Sequence, residues 1–453
     1  MNRVAVLNVV ALSKNLIGAH TPAISALAER MGGVRTMQVP LPALTTTVQT
    51  SMLTGAPVSE HGIVGNGWYD RSESEVKFWK QSNHLVQAEP VWRTARRMDA
   101  SFTCANVCWW YAMHADVDAF VTPRPIYRAN GRKVPDCLTK PTDLRDELQD
   151  RHGRFPLFQF WGPGASIQST RWIVDAALDV EARFKPSLQL VYLPHLDYGL
   201  QKLGPGHPEI PNHLRDVDNE VARLLERFDR EGVHVILVSE YGIEPVSRGI
   251  ALNRVLRNAG YLALREELGR EILLPSECSA FAVADHQIAH IYIESDEDRD
   301  VIAELLRDVD GVAEVTSPAS YGLDHARSGD LIAISEPNAW FTYDWWLDPS
   351  RAPDYARTVD IHRKPGYDPR ELFLTSKARA AWKLFLMRLG IRTLLDVIPL
   401  DETLVRGSHG RINPAPGFEP VMIAEKAPPP SETAVPCESV RDLVLEMLFN
   451  TTP

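Results

Sequence analysis

The segment LPALTTTVQTSMLTGAPVSEHGIVGNG, residues 41–67, carries the side chains best suited to chemistry. Three successive threonines, Thr45 to Thr47, open a short helical pattern that ends at Gly55. Hydroxyl groups and unpaired backbone N–H groups would therefore meet at a helix N-terminus, where an anion is stabilised. Capping of the helix alone would also place hydroxyl residues here. The spacing by itself leaves both interpretations open, an anion site with a nucleophile or simple capping.

Four landmarks in this segment resemble the nucleophile region of the nucleotide pyrophosphatase/phosphodiesterase family, which belongs to the alkaline phosphatase superfamily. Thr45 is followed by TG at 54–55, by HGI at 61–63 and by Asn66. The resemblance implies that Thr45 is the nucleophile and becomes phosphorylated, and that the Asn66 side chain donates to the phosphoryl oxygens. In such a motif the histidine at 61 has a structural role.

A nucleophilic threonine implies metal ions. Its hydroxyl is a poor nucleophile at neutral pH, so a divalent cation has to help remove the proton, and a second cation about 4 Å away can steady the leaving oxygen. The resemblance continues at YLPHLDYGLQKLGP (192–205), SEYGI (239–243) and RGSHG (406–410). It implies three metal ligands in addition to Thr45, namely Asp197, Glu240 and His409.

The sequence departs from the family pattern at three ligand positions. Gln201 and Tyr241 stand where the family has histidines, and Val10-Ala11 replaces an Asp-Gly pair, with Asn8 as the polar residue nearest to it. Gln201, Tyr241 and Asn8 therefore remain candidate ligands. A site that keeps carboxylates and loses imidazoles favours Mn²⁺, Mg²⁺ or Ca²⁺, with Zn²⁺ still open. We expect one or two divalent ions.

Other polar residues could complete the site. His286, in ADHQIAH, and His362, in DIHRKPGYD, are candidate substitute ligands, although isolated histidines are more often hydrogen-bonded structural residues. Arg363 and Lys364 are candidate contacts to a substrate phosphate. A solvated basic turn is the alternative interpretation of these two residues.

Short apolar runs alternate with amphipathic segments, which predicts an α/β protein, and the resemblance implies that its fold is of the alkaline-phosphatase type. We expect a mostly parallel central sheet flanked by helices, with an inserted small α+β subdomain. Val4–Val10, Leu188–Leu193 and Val233–Val238 are continuous apolar runs typical of buried parallel strands. The polar stretch Pro194–Pro211 is predicted to be a loop at the carboxyl end of the second run, the edge at which ligands bind in open α/β sheets.

Three segments follow from this pattern. Residues 1–249 are the first part of the phosphodiesterase core, residues 250–375 are the inserted subdomain with an aromatic and basic loop, and residues 376–453 return to the core with the late ligand motif. The aromatic runs at 109–111 and 340–346 could stack a base or a sugar, but packing is the favoured interpretation.

Composition limits the kinds of partner, metal site and cellular location that we expect. The chain has 453 residues and a net charge of -11, which argues against binding to a nucleic-acid duplex. Five cysteines without a CxxC pair indicate buried thiols rather than disulfides or a zinc knuckle. No targeting segment and no run near the roughly 18 apolar residues of a membrane span is visible, so cytoplasmic residence is expected. The oligomeric state stays open.

The residues together predict a metal-dependent hydrolase of phosphodiester or pyrophosphate bonds in small molecules that resemble nucleotides or nucleotide sugars. Two alternatives stay open. One is a phosphonate or phosphomonoester hydrolase, or a phosphomutase, of the same superfamily. The other is a ligand-binding homologue that has lost catalysis, which the altered ligand positions motivate.

Overall fold

Two β-sheets organise the protein, whose computed structural model describes residues 1–129, 133–430 and 433–450. The strands of these sheets are, in chain order, β1 Val4–Val9, β2 Arg35–Gln38, β3 Cys104–Val107, β4 Ala119–Pro123, β5 Cys137–Lys140, β6 Leu188–Leu193, β7 His234–Val238, β8 Ala280–Asp285, β9 Ile288–Ile293, β10 Val312–Thr316, β11 Leu331–Ser335, β12 Val421–Ile423 and β13 Val435–Pro436. The remaining strands form hairpins or two-stranded pairs.

The helices are α1 Pro22–Arg30, α2 Thr45–Thr54, α3 Val58–His61, α4 Val91–Met98, α5 Asp143–His152, α6 Leu157–Phe160, α7 Ile167–Phe184, α8 His195–Leu203, α9 Ile210–Glu231, α10 Leu252–Asn258, α11 Arg299–Arg307, α12 Lys377–Arg388 and α13 Ser439–Phe449. In the described ranges, no helix has the length and apolar character that crossing a membrane requires.

The nine-stranded central sheet has the order β13-β2-β12-β7-β1-β6-β3-β4-β5. Its middle is parallel: β1 lies between β7 and β6, and its Asn8 is level with Val238 on one side and Tyr192 on the other. Antiparallel pairs occur nearer the edges, where β7 meets β12 and β4 meets β5. Every residue of β1 and β6 is buried, so both faces of the middle of the sheet are covered.

The second sheet is antiparallel, with the order β8-β9-β11-β10, and packs with α11 around a separate apolar core. It lies within the segment 250–375 that was expected to be an insertion, while β12 and β13 return to the central sheet. The exact bounds of the three segments stay a prediction. The aromatic side chains of 340–346 are buried in the protein, which favours the packing interpretation.

The stretch 194–211, predicted to be a loop, instead contains helix α8, which starts directly after β6. The helix packs closely against α9: a Cβ atom at Gly199 would lie 3.1 Å from the ring of His213. A methyl group at Gly199 would therefore require the His213 ring to shift by a few tenths of an ångström. Tertiary packing of this kind overrides the local signal of a short segment with an internal glycine.

Candidate active site

The candidate site lies at the carboxyl ends of the three central strands. Asn8 is in β1, Asp197 is in the first turn of α8 after β6, and Glu240 follows β7 by two residues. Thr45 is the first residue of α2, whose N-terminus faces the same edge. Because carboxyl ends of parallel strands meet at one edge, side chains far apart in sequence converge here.

Two contacts hold the C-terminal part of helix α2 in place. It ends at Gly55, which has a φ of 65° and donates its N–H to the Ser51 carbonyl. The Ser51 hydroxyl also lies 2.9 Å from Nε2 of the buried His61. Burial lowers the pKa of His61 to about 3, so this ring is neutral and structural.

A chain of hydrogen bonds links the threonine to a carboxylate through a tyrosine. The Tyr241 hydroxyl donates to Oδ1 of Asp197 at 3.2 Å and lies 3.1 Å from Oγ1 of Thr45. Since the tyrosine has one proton, which goes to Asp197, the Thr45 hydroxyl is the donor in the other bond. All three side chains are buried.

Asp197 is oriented by a second set of contacts. Gln201 Nε2 donates to its Oδ2 at 2.7 Å, and Oε1 of Gln201 accepts from the Tyr367 hydroxyl at 3.0 Å. Gln201 is four residues after Asp197, so the two lie on one face of α8. The glutamine amide therefore holds the carboxylate in position.

His409 is neutral, and its unprotonated Nε2 faces Asp197. Its Nδ1 lies 2.8 Å from the carbonyl oxygen of Ala43, which can only accept, so Nδ1 carries the proton. Nε2 then carries a free lone pair. It is buried, has no hydrogen-bond partner among the described residues and lies 3.9 Å from Oδ1 of Asp197. The ring is stacked on Tyr241, with centroids 3.5 Å apart.

Glu240 lies on the other side of the site. Its Oε1 accepts from Asn8 Nδ2 and from Gln49 Nε2, both at 2.5 Å. Its Oε2 and the Asn8 Oδ1 are buried and have no hydrogen-bond partner among the residues that the structure describes. Two acceptor oxygens in this half of the site therefore lack a donor or a cation.

Asn66 connects the helix N-terminus to the second sheet. Its Oδ1 accepts from the Thr46 backbone N–H at 3.2 Å, and its Nδ2 donates to Oδ1 of Asp285 at 3.3 Å. The other carboxylate oxygen of Asp285 accepts from the Asn66 backbone N–H at 3.0 Å. The side-chain amide of Asn66 therefore contacts Thr46, the residue after Thr45, while its nitrogen donates to Asp285.

Burial raises the pKa of all three carboxylates around the site. The pKa rises to about 6 for Asp197, to about 8 for Glu240 and to about 7 for Asp285, in each case because desolvation penalises the charged form. Hydrogen bonds from neighbouring amides and hydroxyls offset this only in part. Burial likewise lowers the pKa of His409 to about 3, so it stays neutral.

The residues fit one cation better than two. Within 1–129, 133–430 and 433–450, no three His, Cys, Asp or Glu side chains come together as a metal cluster. Asp197 and His409 nevertheless present a carboxylate oxygen and an oriented, unpartnered imidazole nitrogen 3.9 Å apart. An imidazole whose other nitrogen donates to a backbone carbonyl is the usual arrangement of a metal-ligating histidine. These two residues would hold the cation.

The structure corrects several expected site residues. Gln201 and Tyr241 are engaged with Asp197 as hydrogen-bond donors rather than free as ligands. His286 does reach the site, since its ring centroid is 3.7 Å from that of His409, and burial keeps its pKa well below the usual range, so that the ring is neutral and stays a candidate ligand. His362 is not brought to the group: its Nδ1 lies 3.2 Å from the carbonyl oxygen of Phe78.

The two basic residues next to His362 also differ from expectation. Lys364 is buried, with Nζ 2.8 Å from Asp368 and 2.7 Å from Glu371, so it is not available to a substrate phosphate. Arg363 is exposed, lies 3.4 Å from Asp354 and stacks on Tyr355. Arg363 therefore fits the interpretation as part of a solvated basic turn. Lys364 fits neither that interpretation nor a contact to a substrate phosphate.

Sequence reasoning missed Gln49 and Tyr367. Gln49 follows Thr45 by four residues on α2, which puts both on one helix face, and this spacing could have indicated it. Tyr367 lies in an irregular segment and reaches Gln201 across 166 positions of sequence. No local signal marks such a contact.

Comparisons with known proteins place this geometry in a family. The model of the type I phosphodiesterase / nucleotide pyrophosphatase family matches residues 4–368. An uncharacterized pyrophosphatase/phosphodiesterase of Schizosaccharomyces pombe is 25% identical over 242 residues, which are 51% of this chain and 42% of that protein. The chain thus spans less than half the length of this curated relative.

Two solved structures share the whole fold. One is murine ectonucleotide pyrophosphatase/phosphodiesterase 5, an inactive threonine-to-alanine variant in complex with AMP, with a TM-score of 0.60, 16% identity and coverage of 100% of this chain and 96% of that one. The other is phosphonoacetate hydrolase from Sinorhizobium meliloti in complex with phosphonoformate, with a TM-score of 0.61, 16% identity and coverage of 99% and 96%.

These likenesses confirm the predicted alkaline-phosphatase-like α/β fold. The family match covers the first strand, the Thr45 segment, both carboxylate segments and the second sheet in order. The chain belongs to the type I phosphodiesterase / nucleotide pyrophosphatase family, a family of phosphoester hydrolases.

Proposed function

We propose that this protein hydrolyses phosphodiester or pyrophosphate bonds of small molecules, with Thr45 as the nucleophile and a divalent cation held by Asp197 and His409. The observation that supports this most is the hydrogen-bonded series Thr45, Tyr241, Asp197, which ends beside the unpartnered Nε2 of His409. A nucleophile next to a proton acceptor, itself oriented by a third group, is the usual arrangement of covalent catalysis.

The proton of Thr45 has a defined route. Its hydroxyl donates to the Tyr241 oxygen, and Tyr241 donates to Asp197, so the Thr45 proton moves to Tyr241 as the Tyr241 proton moves to Asp197. Gln201 holds the carboxylate in line during this transfer. Burial raises the pKa of Asp197 to about 6, which makes it a stronger proton acceptor than an exposed aspartate.

The N-terminus of α2 supplies the electrostatic part of the site. Its unpaired backbone N–H groups and the helix dipole favour the negative charge of a phosphoryl group next to Thr45. Asn66 lies beside this N-terminus, and its amide would turn from Asp285 to a phosphoryl oxygen.

Two covalent steps balance the reaction. The Thr45 oxygen forms a bond to phosphorus and the bond to one ester oxygen breaks, so one alcohol or phosphate leaves with a proton. Water then attacks the same phosphorus, the bond to Thr45 breaks, and the monoester is released. A cation bound by Asp197 and His409 would neutralise charge on the phosphoryl oxygens and favour loss of the Thr45 proton; Zn²⁺, Mn²⁺, Mg²⁺ and Ca²⁺ are the candidates.

The relatives support the same assignment. The inactive variant of the murine protein carries a threonine-to-alanine substitution and was obtained with AMP, a nucleotide. A nucleotide-like diester or pyrophosphate is therefore the first substrate class to test here. The absence of an additional cationic side chain among the described contacts of Thr45 favours diesters, because a dianionic monoester needs one more positive group.

The experiment compares a bis-aryl phosphate with a mono-aryl phosphate, with Mn²⁺, Mg²⁺, Ca²⁺ or Zn²⁺ added after chelation. We expect turnover of the diester to exceed that of the monoester, and elemental analysis to give about one divalent ion per chain. Thr45→Ser is the matched control for Thr45→Ala, since it keeps the hydroxyl. Preference for the monoester would contradict the proposed substrate class.

A second candidate is a phosphoester-binding protein without turnover. It is favoured by one observation: the Tyr241 hydroxyl is engaged by both Thr45 and Asp197, where the family pattern has a ligand. Binding of AMP with no bound cation and no turnover of either aryl phosphate would support this candidate. Turnover that Thr45→Ala abolishes would exclude it.

A further inference from the structure

Residues 375–397 form an excursion from the protein body, which we call the α12 excursion. Its two ends are tied together, because the Thr375 backbone N–H and hydroxyl both donate to the Val397 carbonyl, at 2.8 Å and 3.1 Å. Between them lies α12, which begins after Ser376, whose side chain caps the helix by accepting from the Arg379 N–H. No residue of α12 is buried. The helix therefore does not pack into the body of the protein.

The excursion exposes large apolar side chains. Fifteen such side chains are exposed in the described part of the chain, and six of them lie in this excursion: Trp382, Leu384, Phe385, Leu389, Ile391 and Leu394. Trp382 and Leu389 are 58% and 61% exposed. Trp382, Phe385 and Leu389 follow each other at helical spacing, and the rings of the first two are stacked. Clustered exposure of this kind marks an interaction surface.

The same excursion is strongly basic. It contains five cationic residues and, before Asp396, no acidic one, in a chain whose net charge is -11. Arg379 and Lys383 share Asp396. The other three cations make no ion pair within the described ranges: Lys377, Arg388 and Arg392.

Charge decides between the possible occupants of this surface. Two copies of the chain joined through their excursions would bring together two segments that each carry five cationic residues and one acidic residue, which disfavours self-association. A helix with Trp, Phe and Leu exposed among Lys and Arg matches an interfacial helix, whose apolar side chains enter the headgroup boundary while its cations contact anionic headgroups.

We propose that the α12 excursion docks on the surface of an anionic lipid bilayer. The helix lies in the plane of the interface, with Trp382, Phe385 and Leu389 buried among the acyl chains and with Arg388 and Arg392 at the headgroups. The tied base at Thr375 and Val397 keeps the excursion as one unit. This proposal stands apart from the chemistry at Thr45.

Co-sedimentation of the full chain with vesicles tests it. We expect the protein to bind phosphatidylcholine vesicles that contain about one third phosphatidylglycerol at least about tenfold more strongly than vesicles of phosphatidylcholine alone. Added salt weakens the binding, because the charge contribution is screened.

Two double variants separate the apolar and the electrostatic contributions. Trp382→Gln with Phe385→Gln, and Arg388→Gln with Arg392→Gln, are each expected to lower binding to the anionic vesicles about tenfold or more. The matched control combines Leu347→Gln with Arg363→Gln, an exposed apolar residue and an exposed cation elsewhere, and leaves binding unchanged. Because all these side chains are exposed, thermal unfolding should not change.

Three results would overturn the proposal. Wild-type protein could fail to sediment with anionic vesicles, or both double variants could bind as well as wild type. In the third, the protein is a dimer in size-exclusion chromatography, the Trp382→Gln and Phe385→Gln variant is a monomer, and neither binds vesicles. The third result would assign the surface to a second copy of the chain.

Discussion

Two buried polar regions of this protein differ in whether cations pair with their carboxyl groups. In the first, around Arg370, the guanidinium pairs with Asp344 and Asp368 at 2.7 Å, and Lys364 pairs with Asp368 and Glu371. Burial alone would raise the pKa of Asp368, but Arg370 and Lys364 outweigh it and lower that pKa. Glu371, which shares Lys364, keeps a pKa that burial raises.

The Thr45 site is also buried, but no lysine or arginine of the described part of the chain pairs with its carboxyl groups. Burial raises the pKa of Asp197, Glu240 and Asp285, and amides or hydroxyls are their hydrogen-bond partners among the described residues. Buried charges are ordinarily paired. The difference agrees with the proposal that the Arg370 region is a structural element, while the Thr45 site keeps carboxyl groups and free acceptor atoms for a cation and a substrate.

The largest expected effect is loss of turnover in Thr45→Ala. Without the hydroxyl no covalent step can occur, and activity on a bis-aryl phosphate should fall by about a thousandfold or more. Steady-state kinetics measure this beside Thr45→Ser, which should keep part of the activity. Wild-type rates in Thr45→Ala would remove the nucleophile from the account.

The second prediction concerns the cost of breaking the paired region. Arg370→Met removes the cation that Asp344 and Asp368 share and leaves each with one other cation, Arg254 and Lys364, so the free energy of unfolding should fall by about 3 kcal/mol. Denaturant titration checks this against Arg363→Met, an exposed arginine whose loss should change it by less than about 0.5 kcal/mol. Equal effects of the two variants would refute the contrast between buried and exposed charges.

Glu240→Gln tests the unpaired region through pH. The pKa of Glu240 is raised from 4.5 to about 8. Between these values the folded protein retains a proton that the unfolded chain releases, so the cation-free protein loses stability as pH rises through this window. Glu240→Gln should remove that part of the dependence and stabilise the cation-free protein at about pH 8 by about 4 kcal/mol.

Thermal unfolding of cation-free wild type and Glu240→Gln, at about pH 5 and about pH 8, makes the comparison. The difference between the two proteins should be larger at the higher pH. Parallel curves would mean that Glu240 is ionised throughout and already paired.

The smallest effect concerns Tyr241. Tyr241→Phe keeps the ring stacked on His409 and removes the hydroxyl between Thr45 and Asp197, so kcat should fall about tenfold while KM stays the same. A shift of the pH profile of kcat should accompany the loss. Unchanged kcat and profile would show that Tyr241 only packs.

Much of the fold could be predicted, because its signals are local. The runs that start at Val4, Leu188 and His234 are mostly apolar, and such runs are typical of central parallel strands. Helix α8 was predicted to be a loop because its stability comes from close packing against α9, which no local pattern shows. The resemblance to the family motifs also pointed to Thr45, Asp197, Glu240 and His409, which the structure brings to one edge of the sheet; their catalytic roles stay predictions.

The partners of these residues could not be predicted. Gln201 and Tyr241 occupy ligand positions of a motif, but only three-dimensional geometry shows that both donate to Asp197. Lys364 looked like part of a solvated turn, yet it is buried beside Arg370, whose partner Asp344 lies 26 positions away. Whether a charge is paired depends on such distant contacts, and so does its function.

The most direct test of the account is mass spectrometry of protein quenched with acid during turnover of a bis-aryl phosphate. The account predicts that the peptide containing Thr45 carries the aryl phosphoryl group, and that Thr45→Ala carries none. Turnover at the wild-type rate with that peptide unmodified, or the group on another residue, would contradict it.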